Sequence, residues 1–78
     1  MNENDVIEII ETVLKLDNSH IDINSTVDNI EEWDSLGHLG VLVALDKAFD
    51  GKIASIQEMA TADSVKKILQ ILRENSFI

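Results

Sequence analysis

Three stretches of this chain repeat their apolar residues at intervals of three and four, and no stretch alternates apolar with polar residues. A helix has a period of 3.6 residues and a strand a period of 2.0, so this spacing confines the fold to helices. Val6, Ile9, Ile10, Val13 and Leu14 mark the first stretch, with Asn2 or Asn4 placed to cap it, and predict a helix over about residues 3–16. The second runs from Ser35 to about residue 50, where Leu39, Leu42, Leu45 and Phe49 share one face flanked by Leu36, Val41 and Val43. So wide an apolar face suits the central helix of a bundle. Its other side carries Gly37, Gly40, Ala44 and Ala48, a stripe of small side chains that suits either close helix packing or a flat docking surface, with docking the expectation. Gly51 stands where a helix of this extent would end. Val65, Ile68, Leu69 and Leu72 mark the third stretch, over about residues 62–75, capped by Thr61 or Asp63 and wet along Lys66, Lys67, Gln70, Arg73 and Glu74. Between them "SIQEMA" allows a short helix over about residues 55–60. The expected fold is an all-α four-helix bundle, three longer helices and one short, forming one domain over residues 1–78.

The first connection, residues 17–34, is rich in Asp, Asn, Ser and Thr, with apolar anchors at Ile21, Ile23, Val27 and Ile30. A loop of about 18 residues exceeds the usual length and is more often functional than passive. It is not a calcium loop, since no register supplies the glycine and the closing glutamate that such a loop requires. Charge singles out the same region. Of a net charge of −9, residues 1–34 carry ten carboxylates against Lys15 alone, while residues 35–78 are balanced at five and five. That excess disfavours nucleic acid and anionic membranes and favours basic partner surfaces. The start, "MNENDVIEII", lacks the basic and long apolar segments of a signal peptide, and no run is long enough to span a bilayer; a cytoplasmic location is the expectation. Without cysteine there is no disulfide, no thiolate metal site and no thiol nucleophile in the chain itself.

The acidic half ends at "EEWDSLGHLG", residues 31–40. "DSLG" echoes a nucleophile elbow, but Trp33 replaces the first glycine, and an esterase needs a base, an orienting carboxylate and an oxyanion hole on a strand–turn–helix scaffold. His20 and His38 are the only histidines, and an intrinsic enzyme is not expected. Ser35 at the start of a helix offers a different chemistry, because free N–H groups and the helix dipole favour an attached anion such as a phosphate. Asp34 adds a carboxylate for an enzyme-held cation or a basic residue, and Leu36 an apolar contact. A serine on an exposed, rigid helix end is open to modification by another enzyme.

"DSL" at the start of the second of four helices, followed by "VALDKAFDGKI", resembles the acyl carrier protein family over essentially the whole chain. The resemblance implies an acyl-carrier-like bundle with its long loop between the first two helices. It further implies that Ser35 receives a 4′-phosphopantetheine group from coenzyme A through a magnesium-dependent phosphopantetheinyl transferase. The thiol of that arm would carry an acyl or aminoacyl group as a thioester, and the protein itself would be a non-catalytic monomer. Its partners would be an acyl- or aminoacyl-loading enzyme and downstream acyl-transfer or condensing enzymes with basic docking surfaces. Asp34, Leu36, Leu39, Asp46, Glu31 and Glu32 are the expected partner contacts, and Val41, Leu45, Ile56, Met59 and Ile68 would line an acyl cleft unless they are ordinary core. The chain departs from fatty-acid carriers where Gly40, Lys47 and Ala48 replace expected glutamates, leaving residues 35–50 a net charge of −1. Trp33 stands where a small residue is common and is expected to pack the loop against the second helix. These departures point to a specialised carrier of polyketide-like, surface-glycan or aminoacyl biosynthesis. The alternative is an unmodified acidic helical interaction module.

Overall fold

The computed structural model describes residues 1–16 and 21–78; Asp17 and His20, read above as part of the acidic loop and as a candidate base, lie outside the described residues. Among the described residues four helices follow in order: α1 (Glu3–Val13), α2 (Ser35–Ala48), α3 (Gln57–Ala60) and α4 (Val65–Glu74). The chain is all-α, and among the described residues the sole extended pairing is one antiparallel bridge between Thr26 and Ser64. α1 packs on α2 and α4, and α3 touches both α2 and α4.

Each longer helix begins on a side-chain cap. Asn2 accepts from the Asp5 N–H while the Asp5 carboxylate accepts from the Asn2 N–H, a reciprocal capping box at 3.0 Å each. Asp34 caps α2, so Ser35 is its first helical residue and not its cap. Ser64 caps α4 by accepting from the Lys67 N–H, in place of the expected Thr61 or Asp63, and the helix starts three residues later than its periodicity suggested.

The helix ends differ from expectation for one shared reason. α1, α2 and α4 close on a residue with positive φ, respectively Lys15 (59°), Asp50 (58°) and Ser76 (64°). The next N–H then reaches back five residues, Leu16 to Glu11, Gly51 to Asp46 and Phe77 to Leu72, which is the hydrogen bond of a Schellman turn. α1 therefore stops at Val13 and not near residue 16, and α2 at Ala48 and not near residue 50. Gly51 lies one position beyond the left-handed terminator, at φ 78°. α3 is one turn, shorter at its start than "SIQEMA" suggested.

Val6, Ile10 and Leu14 of α1, Val41 and Leu45 of α2, Met59 of α3 and Val65, Ile68, Leu69, Ile71 and Leu72 of α4 form the core, joined by Ile21, Trp33, Phe49, Ile53 and Ala62 from the connections. α2 turns Val41 and Leu45 inward and leaves Leu36, Leu39 and Val43 exposed, so the face that reaches the core is not the one drawn through Leu39, and Leu36 and Leu39 are open to contact. One expectation for the first connection fails. Ile23 is not an anchor of the first connection; Ser25 is buried instead. Its hydroxyl accepts from the Asp22 N–H, and its carbonyl accepts from Val65 N–H at 3.0 Å, while Val27 N–H donates to Asp63 carbonyl at 2.9 Å. The connection is thus pinned to the start of α4 by backbone hydrogen bonds that hydropathy does not report.

The small-residue stripe on α2 divides in two. A Cβ on Gly37 would run into the Glu32 carbonyl oxygen and lie 2.9 Å from Leu14 Cδ2, and one on Gly40 would lie 2.9 Å from Val13 Cγ1. This end packs against α1 and the preceding loop, so it is not a docking surface. Ala44 and Ala48 line an open groove of about 450 Å³ with Ile9, Thr12 and Val13. Replacing Gly37 by alanine should gain up to about 1 kcal/mol of helix propensity. It should also cost about 1–3 kcal/mol of overpacking, because backbone and not a flexible side chain blocks the new methyl. Urea titration of Gly37→Ala should therefore show lower stability than the parent; a raised midpoint would contradict the close approach.

Candidate functional site

The acidic loop, the buried Trp33 and the first turn of α2 converge on Ser35. Asp34 has an extended backbone, and its Oδ1 accepts from Gly37 N–H at 2.8 Å while its carbonyl accepts from His38 N–H at 2.8 Å. These bonds use the third and fourth donors of the turn. The N–H groups of Ser35 and Leu36 come before the first rung of the helical ladder. Ser35 is exposed, and no described residue hydrogen-bonds its hydroxyl. It stands on the rim of an open recess of about 460 Å³ whose walls include Val27, Trp33, His38, Ala60, Ala62 and Asp63.

His38 is engaged in the fold through both ring nitrogens. Its Nδ1 accepts from the Trp33 indole Nε1–H at 3.0 Å and its Nε2 lies 2.8 Å from the Met59 carbonyl oxygen. An indole N–H only donates and a carbonyl oxygen only accepts, so both partners select the same neutral tautomer, protonated on Nε2. Both ring nitrogens are committed to structure. Trp33 is 1% exposed and packs the loop against α2, as its position suggested. Sequence reading did not find its pairing with His38, although a buried indole needs an acceptor and His38 lies one turn into the following helix.

The other expected contacts separate into free and engaged groups. Glu31 and Glu32 are exposed. Leu36 is 80% exposed and Leu39 57%, and Val43 at 48% extends them into one apolar stripe at positions i, i+3 and i+7. Val43 was not among the expected contacts, yet that spacing was available to find it. Asp34 is exposed, but its carboxylate already caps α2. Asp46 faces inward as a structural group: its Oδ1 accepts from Ile53 N–H at 3.0 Å and Ala54 N–H at 2.9 Å, folding the chain after α2 back onto it.

The five residues offered for an acyl cleft lie in or against the core, the other reading given for them. Val41, Leu45, Met59 and Ile68 are fully buried in the continuous core, Ile56 is half-buried against it, and none of the five lines the recess beside Ser35 or the groove on α1. Among the described residues no helix is long and apolar enough to cross a membrane, and no group of three His, Asp or Glu side chains is arranged to hold a metal ion. The chain matches no protein-family model, no curated protein and no solved structure.

Asp46→Ala removes the acceptor of the part-buried Ile53 N–H and of the exposed Ala54 N–H and should cost about 1–3 kcal/mol, chiefly through the Ile53 amide. Glu31→Gln and Glu32→Gln alter only solvated charges and should stay within about 0.5 kcal/mol of the parent. Thermal unfolding of the three variants checks this ordering, and equal melting temperatures would remove the structural role of Asp46.

Proposed function

We propose that this chain is a carrier protein of the acyl carrier type, holding acyl or aminoacyl intermediates as thioesters on a 4′-phosphopantetheine arm attached to Ser35. The observation that carries the reading is the exposed, unpartnered Ser35 hydroxyl on the first turn of α2, between the capping Asp34 and the exposed Leu36. The residues present fit the group. The N–H groups of Ser35 and Leu36 and the positive end of the α2 dipole would hold the phosphodiester, and the open recess leaves the arm's first atoms unobstructed. Attachment joins Ser35 Oγ to the arm's phosphorus, displaces the adenosine bisphosphate part of coenzyme A, and gives the hydroxyl proton to the transferase. When bound, the arm supplies the thiol that the chain itself lacks.

Two surfaces support docking onto enzymes of the pathway. The stripe Leu36–Leu39–Val43 offers apolar contact next to the modified serine, and Glu31 and Glu32 give an exposed negative approach toward basic partners. α2 contributes little charge, since Asp46 is engaged in the fold, which favours a specialised carrier over one read through an acidic second helix. The chain acts in the cytoplasm as a monomer and performs no catalysis; the enzymes that load and unload the arm supply it.

The same stripe and loop would serve an unmodified module that binds a basic partner, and modification separates the two. Incubated with coenzyme A, magnesium and several phosphopantetheinyl transferases, the protein should gain the mass of one phosphopantetheinyl group on Ser35, and Ser35→Ala should gain none. A wild-type mass unchanged by all of them would overturn the carrier reading. With the transferase that acts, reversing Glu31 and Glu32 together should slow modification more than Leu36→Ala at low salt, and the difference should shrink as salt rises. A salt-independent defect would remove the steering role of the loop.

A further inference from the structure

Trp33, His38 and Met59 form a continuous relay that neither the charge pattern nor the modification of Ser35 requires. The indole N–H bonds His38 Nδ1 at 3.0 Å and His38 Nε2–H bonds the Met59 carbonyl at 2.8 Å, with the two rings 28° from parallel. Among the described residues the His38–Met59 bond is the one hydrogen bond between α2 and α3. α3 has four residues and no side-chain cap, far below the length at which a helix holds itself together. It keeps its place through the buried Met59 side chain and through this bond. Trp33 lies two residues before Ser35 and His38 three residues after it, so the relay grips the serine's turn from both sides.

We infer that the Trp33–His38–Met59 relay is a positioning device: it holds α3 against the first turn of α2 and so fixes both the orientation of Ser35 and the opening of the recess beside it. The inference rests on Ser35 being the modified residue. Its kinetic consequence follows from where the relay sits. The exposed stripe and the carboxylates Glu31 and Glu32 lie outside it, so encounter with the transferase is preserved when the relay is broken. What changes is the fraction of docked molecules whose serine hydroxyl is aligned. Misalignment of a reacting group is a loss of turnover and not of binding.

The test is transferase kinetics on full-length variants whose helix content is verified by circular dichroism. His38→Leu removes the acceptor and the donor while keeping bulk, Trp33→Phe removes the indole donor along with part of a buried ring, and His38→Gln restores one acceptor and one donor. His38→Leu should lower kcat roughly tenfold with KM within about twofold, since a displaced reacting group costs turnover. His38→Gln should recover most of the loss. Trp33→Phe combined with His38→Leu should be little worse than His38→Leu alone, because the residues act in one chain. The single tryptophan gives one indole N–H resonance, which should move in His38→Leu, and the amides of α3 should exchange faster there. Folded variants with wild-type kcat, a loss confined to KM, or unchanged α3 exchange would each overturn the relay. Failure of the wild type to be modified while α3 exchange responds as expected would instead bring down the modification of Ser35, and with it the role of the relay in transfer.

Discussion

The first turn of α2 is held from two sides, and the arrangement around Ser35 depends on both. On one side Gly37 lets the Glu32 carbonyl and Leu14 approach the helix to within the space a side chain would fill. On the other, Trp33 is buried and bonded to His38, whose second nitrogen reaches α3. Asp34 completes the turn by capping it. A short polar turn at the surface would ordinarily fray. Here one serine is left exposed on a turn whose neighbours before and after are locked. Rigidity and accessibility, which usually oppose each other, coincide at this residue.

The same contrast divides the carboxylates. Asp34 and Asp46 spend their oxygens on backbone N–H groups, one starting α2 and the other folding back the chain that leaves it. Glu31 and Glu32 remain solvated. An acidic surface counted from composition alone therefore overstates what a partner meets. Carboxylates bonded to backbone, exposed like Asp34 or half-buried like Asp46, act as local hydrogen-bond acceptors, whereas solvated ones such as Glu31 and Glu32 act at the range of the ionic atmosphere, about 10 Å at 0.1 M salt.

Helices and core were legible because three- and four-residue spacing is a property of the chain itself. All four apolar positions read for α4, Val65, Ile68, Leu69 and Leu72, are buried, and its five wet positions are exposed. α2 was harder, since it is apolar around most of its circumference and its inward side is chosen by α1 and not by its own pattern. That is why the apolar face was drawn through Leu39, which is exposed, while the flanking Val41 is the residue that reaches the core. The helix ends were misplaced because Lys15, Asp50 and Ser76 adopt left-handed backbone without the glycine that normally announces it. Gly37 and Gly40 carried the same sequence signal for docking as for packing, and only the positions of Leu14 and Val13 decide between them. The exposed position of Ser35 on the first turn of α2 was legible from its neighbours. The Trp33–His38–Met59 relay was not, because its last link joins residues 21 positions apart through a backbone oxygen.

Packing also bears on two of the positions that leave α2 short of negative charge. A Cβ at Gly40 would lie 2.9 Å from Val13 Cγ1, so a glutamate there would have to shift that side chain. Asp46 is turned to the Ile53 and Ala54 amides, which removes a second carboxylate from the outer face. What remains outside on α2 near Ser35 is Leu36, Leu39 and Val43. Apolar contact is short-ranged and insensitive to salt, while charge acts before contact and is screened. On the carrier reading the two tasks of docking are therefore divided between elements: the loop before Ser35 draws a basic enzyme in, and α2 seats it. The approach of Val13 at Gly40 and the two backbone bonds of Asp46 both favour that division.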